Sequence, residues 1–178
     1  IARRFPTVQV VRNPENIGFT GGNNGGAQRL LDDGADLIWI LNNDTLVDPA
    51  CLGRLVAGLQ ADSAVGLATG KILYETPRDR LWYAGGDINP WTLVSRHRGE
   101  NADDLGQFDQ PTDITFATGC SMLIRADVWR RVGPLNRHFF LYSEDVEWSL
   151  RAARYGIRMR YFPDAVLWHR VSADVKKN

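Results

Sequence analysis

Four places along the chain combine residue types that bond-making chemistry requires. Asp44 follows Asn42 and Asn43 directly behind an apolar run, Leu37-Ile38-Trp39-Ile40-Leu41. Ligands of open α/β sheets collect at the carboxyl ends of strands. A hard cation such as Mg²⁺ commonly takes only one or two protein carboxylates, because phosphate oxygens and waters complete its shell. Asp44 could hold such a cation against a diphosphate, or it could close an Asx turn that caps the strand. A second cluster, Ser143-Glu144-Asp145-Val146-Glu147, opens a helical pattern. Acids there complement the helix dipole, and Ser143 or Asp145 could be a plain N-cap. The apolar approach His138-Phe139-Phe140-Leu141-Tyr142 offers another use. A carboxylate in a partly dry site, or beside Glu144, gains the proton affinity of a general base.

Residues 16–26 read NIGFTGGNNGG. Glycines allow backbone to approach a ligand closely, and an adjoining helix N-terminus offers N–H groups to an anion. A flexible turn ahead of a helix explains the same composition. The spacing matches neither the dinucleotide fingerprint nor the P-loop, which ends in Gly-Lys-Ser/Thr. His169 follows the apolar Val166-Leu167-Trp168. Imidazole is a common metal ligand, but a lone histidine at a strand end is more often hydrogen-bonded structure. His97 and His138 stand in no spacing relationship to it. Cys51 and Cys120 lack metal-type partners nearby and read as buried small hydrophobes.

The elements that must position these groups follow from periodicity. Val8, Val10 and Val11 suggest a short strand, residues 13–26 a turn-rich stretch, and Ala27, Leu30 and Leu31 a short helix ending near Gly34. The continuous run 37–41 predicts a strand covered on both faces. Pro49 opens a helix through Leu52, Leu55, Val56 and Leu59, and residues 65–73 return to strand. This β-α-β-α-β order implies a parallel sheet with helices on its faces. Residues 74–113 are polar, with hairpin-like strands, long loops and the aromatics Trp82, Tyr83, Trp91 and Phe108; loops of that length tend to be functional. Residues 114–124 regain strand character, 127–132 predict a short helix, and 146–155 a second with Val146, Leu150 and Ala153 as its apolar stripe, stopped by Gly156. Residues 158–162 and 166–168 are expected as short closing strands. There is no internal repeat, low-complexity tract or linker, so residues 1–178 are expected to form one domain.

Composition narrows the classes of function. Lysine plus arginine number 21 and aspartate plus glutamate 21 in 178 residues, a formal charge of zero. That excludes the basic field that drives nucleic-acid binding. Hydrophobic residues at 44% and charged ones at 24% are ordinary for a globular chain. No apolar run reaches the ~20 residues of a membrane span, and nothing near Ile1 reads as a signal peptide. The chain begins at Ile1, as expected of an excerpt entered partway through a fold.

Taken in order, these segments resemble the inverting family 2 glycosyltransferases of GT-A fold, and more closely their bacterial rhamnosyltransferase-like branch. The resemblance rests on NIGFTGGNNG (16–25), LNNDTLVDP (41–49), TGKIL (69–73), LWYAGG (81–86), ATGCSMLIR (117–125), Gly133-Pro134-Leu135, FFLYSEDVEWSLR (139–151) and residues 163–169. It implies an α/β, Rossmann-like mixed sheet flanked by helices, here without the family's first, base-gripping strand. It implies that Asp44 keeps the final carboxylate of the family's Asp-x-Asp metal motif, with Asn42 in place of the first acid and Asn43 between. Asp44 and His169 would then hold Mg²⁺ or Mn²⁺ on the donor diphosphate. Asp145 matches the catalytic base, with Glu144 beside it. Gly18, Phe19, Gly21, Gly22 and Asn23 would line the nucleotide side with Asn42 and Asn43, and Gly119 would let the backbone approach the donor sugar.

The expected activity is transfer of a sugar, rhamnose from dTDP-rhamnose first among the candidates, from a nucleoside-diphosphate donor to a glycan or lipid-linked acceptor hydroxyl. Trp82 and Trp91 could stack on the acceptor. The setting implied is cell-wall or polysaccharide biosynthesis by a cytoplasmic enzyme at the inner face of the membrane. Peripheral association could use Arg125, Arg130 and Arg131, which ordinary solvation explains equally. Two other classes stay open: a nucleotidyltransferase, although residues 16–26 contain no basic side chain, and a non-catalytic carbohydrate-binding module, which the 6 tryptophans would suit.

Overall fold

The apolar runs form strands largely where periodicity places them, but the sheet they build is mixed. The computed structural model describes residue 1 and residues 3–171. In chain order its elements are α1 (Gly18–Asp32), β1 (Leu37–Leu41), β2 (Thr45–Val47), α2 (Cys51–Ala61), β3 (Val65–Tyr74), β4 (Leu81–Tyr83), β5 (Gly86–Ile88), β6 (Ser95–His97), β7 (Thr112–Ile114), β8 (Ser121–Arg125), α3 (Ala126–Val132), α4 (Glu144–Arg154) and β9 (Arg158–His169). The main sheet runs β1-β8-β3-β9-β2, with β4 beside β3 and β7 beside β9, and β5 pairs β6 in a separate ribbon. Among these pairings only β3 and β9 are parallel.

β3 is buried along nearly its whole length and forms the spine of the core. Leu55 and Leu59 of α2, Met122 and Ile124 of β8, Trp148 of α4 and Leu167 of β9 close around it, each fully buried. Burial of such side chains stabilises by roughly 1.5–3 kcal/mol apiece.

Four expectations need correction. The purely parallel β-α-β-α-β arrangement fails because β8, from much later in the chain, inserts antiparallel between β1 and β3. Val8, Val10 and Val11 form no strand and stay exposed, although β1 beside them is the edge of the sheet. The two closing strands are one, β9, which pairs β3 along its length with register irregularities between Val65 and Leu67 and between Gly70 and Lys71. The helix expected from Ala27 begins at Gly18 and absorbs most of the glycine-rich stretch. Glycine costs about 1 kcal/mol in a helix interior relative to alanine, so propensity does not make α1. Tertiary bonds do: the Asn24 side chain donates to the Leu135 carbonyl at 2.8 Å and accepts the Leu135 N–H at 2.9 Å. Thr20 donates its hydroxyl to the Phe139 carbonyl, and the Phe19 N–H meets the Phe140 carbonyl at 3.0 Å.

The arginines offered to a membrane surface divide differently. Arg125 turns inward, its guanidinium donating to the carbonyls of Val65, at 2.9 Å, and Leu59. Arg131 binds the Tyr155 carbonyl at 2.8 Å. Among the described residues no helix is long and apolar enough to cross a membrane.

Candidate functional site

The site is set by where two strands end. β2 pairs antiparallel with the last turn of β9, placing Thr45 opposite His169. The Arg170 N–H bonds the Asp44 carbonyl at 2.9 Å and locks that register. His169 Nε2 therefore stands 3.2 Å from Asp44 Oδ1. His169 is only 8% exposed, and burial lowers its pKa against the pull of the Asp44 charge. Both Asp44 Oδ1 and His169 Nδ1 are buried without a hydrogen-bond partner. A carboxylate oxygen and an imidazole nitrogen converging in this way, one oxygen unsatisfied, fit a divalent cation that takes its remaining ligands from phosphate and water. Among the described residues no cluster of three or more His, Cys, Asp or Glu exists that could enclose a cation unaided. Asn43 and Asp44 line a depression of about 290 Å³ with Glu75 and Arg170. Those last two side chains form an ion pair at 2.5 Å.

The second carboxylate arrives from the other side. Tyr142 and Ser143 both take positive φ, 70° each, immediately ahead of α4. Consecutive left-handed non-glycine residues store strain that persists only where the surroundings enforce it, as functional sites do. Ser143 makes no capping bond; the plain N-cap reading of that residue is not what the structure shows. Asp145 instead bridges two elements. Its Oδ2 accepts the Gly119 N–H at 2.8 Å and its Oδ1 accepts the Val146 N–H at 2.8 Å. Burial raises the Asp145 pKa, and the backbone donors oppose that rise only in part. Glu144 is also pushed up by burial, with Oε2 enclosed and unpartnered.

Asp145, Glu144, Gly119, Asn42, Phe19 and His169 line one cavity of about 270 Å³, together with Trp82 and His97. His169 belongs to its wall and reaches Asp44 behind it. The buried Cys120 thiol feels both carboxylates; burial, then the charges of Asp44 and Asp145, push its pKa up. Burial likewise pushes the Cys51 thiol up to about 12, so both cysteines behave as inert hydrophobes.

The glycine-rich segment divides. Phe19 reaches the cavity, and Gly18, at φ +73°, turns the chain so tightly against the backbone of Phe140 that a Cβ would collide with it. This turn anchors the segment leading into α4. Gly21 packs against Ile17. Gly22 and Asn23 face a different groove, beside Trp39 and Ile40 of β1. Helical amides beyond the first turn are already bonded within the helix, so these glycines form no open anion cradle. Gly119 gives its N–H to Asp145; a Cβ there would stand 3.3 Å from the Phe19 ring and 3.6 Å from Asp145 Oδ2.

Of the two tryptophans offered to an acceptor, Trp82 lines the cavity, whereas Trp91 is 92% exposed at the tip of the β5–β6 hairpin. Sequence reasoning missed His97. Its ring meets Trp82 at 4.6 Å, and Trp82 meets His169 at 4.5 Å, so the three rings form one row along the wall. The only signal in the sequence was the aromatic pair Trp82-Tyr83, because the contact with residue 97 depends on a long-range fold-back.

Comparison with known proteins agrees with this geometry. Residues 37–177 match the family model described as "Glycosyl transferase family group 2". The low-salt glycan biosynthesis hexosyltransferase Agl10 of Haloferax volcanii is 26% identical over 149 residues, 81% of this chain and 46% of that protein. Hyaluronan synthase 3 of Gallus gallus is 36% identical over 61 residues, 34% of this chain and 9% of that protein. The chain thus spans less than half the length of these curated relatives. A crystal structure of GalNAc-T7 with UDP, GalNAc and Mn²⁺ superposes with a TM-score of 0.73 at 15% identity, covering 99% of this chain and 34% of that one. A197 from STIV gives 0.55 at 11% identity, covering 93% and 72%. These likenesses carry the fold alone, and they bear out the expected mixed α/β arrangement of GT-A type.

Proposed function

The chain belongs to the glycosyl transferase family group 2, and from that premise we propose that it is the catalytic domain of a hexosyltransferase. The donor is a nucleoside-diphosphate sugar, dTDP-rhamnose first among the candidates, and the acceptor is a hydroxyl of a glycan or lipid-linked saccharide. The single observation that supports this reading is the cavity that Asp145, with raised proton affinity, lines together with His169, whose Nε2 lies 3.2 Å from Asp44 Oδ1 behind that wall.

The acceptor oxygen attacks the anomeric carbon and its proton passes to the Asp145 carboxylate. The bond from that carbon to the diphosphate oxygen breaks, and its electron pair leaves on the diphosphate. One displacement of this kind inverts the anomeric centre. Asp44 and His169 would hold Mg²⁺ or Mn²⁺, which when bound would supply charge to neutralise the diphosphate leaving group. The N–H groups of Gly119 and Val146 fix the Asp145 carboxylate, so little reorganisation accompanies the transfer. Peripheral work at the inner face of a membrane belongs to the same reading.

Calorimetry of the full-length protein with UDP, GDP or dTDP, with and without Mg²⁺ or Mn²⁺, tests it, followed by turnover with the matching nucleotide sugar. Metal-dependent heat and sugar transfer are expected. Heat with a glycan alone, and none with any metal–nucleotide pair, would instead mark a carbohydrate-binding module. Release of pyrophosphate from a nucleoside triphosphate would mark a nucleotidyltransferase.

A further inference from the structure

One wall of the cavity has no part in that displacement. His97, the last residue of β6, stands with Nδ1 3.1 Å from the Trp82 carbonyl oxygen. A carbonyl only accepts, so Nδ1 carries the hydrogen and Nε2 of the neutral ring is left a bare acceptor. The ring is held on three sides, by Trp82 at 4.6 Å, Tyr83 at 5.0 Å and Phe116 at 5.7 Å. Among the described residues none bonds Nε2, and it is not sealed from the cavity that His97 lines. Burial lowers the pKa of the ring and so keeps it neutral.

Position says what this acceptor meets. Trp82 lies between His97 and His169, and the Asp145 charge bears on His97 from across the cavity. A hexose held between Asp145 and His169 lies in the cavity that Trp82 and His97 also line. Its hydroxyls are donors that a bare imidazole nitrogen accepts.

We propose that His97 is a sugar-recognising residue, its Nε2 accepting a hydrogen bond from a hydroxyl of the transferred hexose while Trp82 walls that sugar. The inference rests on the transferase reading above. Sites built to bond a substrate hydroxyl reject analogues that lack it, so His97 contributes to the choice among hexoses.

The test uses full-length protein with ring-labelled histidine, with Mg²⁺ throughout. The probes are UDP, UDP-glucose, UDP-galactose, GDP, GDP-mannose, dTDP and dTDP-rhamnose. The expected result is that the diphosphates move the His169 resonances alone, whereas the matching nucleotide sugar also moves His97 Nε2. In turnover, His97→Phe keeps the aromatic packing and raises KM for that nucleotide sugar roughly tenfold, the loss of one hydrogen bond of about 1.4 kcal/mol. Its affinity for the bare diphosphate stays unchanged, and His97→Gln, with an amide oxygen near the Nε2 position, recovers most of the loss. A nucleotide sugar that moves His169 and leaves His97 still overturns the inference, as does equal weakening of diphosphate and nucleotide sugar in His97→Phe. Should that variant not fold, the spectra of the unsubstituted protein decide. No response of either histidine to any probe overturns the transferase reading, and this inference with it.

Discussion

Replacing Asp145 by Asn probes the proposed base with almost no change in shape, and the structure gives the sign of each consequence. The carboxylate accepts two backbone N–H groups, from Gly119 and Val146, each at 2.8 Å. A carboxamide has one oxygen, so one of those donors would face an NH₂ group. An orphaned buried donor costs roughly 1–3 kcal/mol, while removal of a carboxylate that burial disfavours works in the opposite direction. The two effects offset, and the melting temperature should move by less than about 5 °C. Activity has no such compensation: loss of a general base lowers kcat by roughly 10²–10⁴-fold, with metal-dependent binding of the nucleoside diphosphate intact. The pH dependence adds a second signature. Burial lifts the Asp145 pKa above the ordinary carboxylate value, so the acid limb of the kcat profile lies above that value. The folded state then holds its proton to higher pH than the unfolded chain. Stability contributed at this position is therefore lost as pH rises through the raised pKa, and Glu144, shifted the same way, adds to the slope. Asp145→Asn should flatten that slope in denaturant titrations. A well-folded variant with kcat within about threefold of the unsubstituted protein would refute the assignment of the base.

Asp44→Ala should weaken Mg²⁺-dependent binding of the nucleoside diphosphate by roughly a hundredfold in calorimetry, since the orphaned oxygen beside His169 is the carboxylate ligand proposed above; unchanged metal dependence would remove the pair from the cation site. Asn24→Ala leaves the N–H and carbonyl of Leu135 without their buried partners. That should cost about 2–4 kcal/mol in urea unfolding, whereas a loss under about 0.5 kcal/mol would show that the clasp does not hold α1. Gly119→Ala places a methyl 3.3 Å from the Phe19 ring and 3.6 Å from Asp145 Oδ2. Overpacking of that degree costs about 1–3 kcal/mol. Kinetics should show kcat reduced at least tenfold in protein that still unfolds cooperatively, because the proposed base is displaced.

Local signals made much of this molecule readable. Residues 37–41 and 65–73 both form strands as expected, but only β3 is buried on both faces. β1, at the edge of the sheet, buries Ile38 and Ile40 and leaves Leu37, Trp39 and Leu41 half-buried, so the expectation of cover on both faces fails there. The helix α4 stands where period and the Gly156 stop signal, at φ +70°, place it, but its buried face is Glu144, Trp148, Ser149 and Ala152. Val146 and Leu150 are half-buried and Ala153 is exposed, so the expected stripe is not the face that packs. What stayed hidden depends on distant partners. Nothing between residues 41 and 65 announces that β8 will separate β1 from β3. The glycines of α1 read as a loop because their helix is paid for by Asn24, Thr20 and Phe19 bonding to residues 135–140. His97 carries no motif; it reaches the cavity because the β5–β6 ribbon folds its ring against Trp82, 15 residues earlier. Asp44 and His169 were visible as strand-end residues, but the Thr45–His169 register that joins them is a property of the finished sheet.

That dependence also sets the different surroundings of two aspartates, Asp145 in the cavity and Asp44 in a separate depression behind His169. Asp145 sits at a helix start, dry, with both oxygens engaged by N–H groups that fix its direction while burial raises its affinity for a proton. Asp44 sits at a strand turn with one oxygen unsatisfied and an imidazole 3.2 Å away. The first arrangement favours a group that must take up a proton in one orientation. The second favours a group whose free lone pairs wait for a cation. On the proposed reading these surroundings separate base from cation ligand, and they come from positions 101 residues apart in sequence, the interval from 44 to 145. At position 145 the backbone amides already occupy the oxygens a cation would need, whereas at position 44 Oδ1 is without a hydrogen-bond partner.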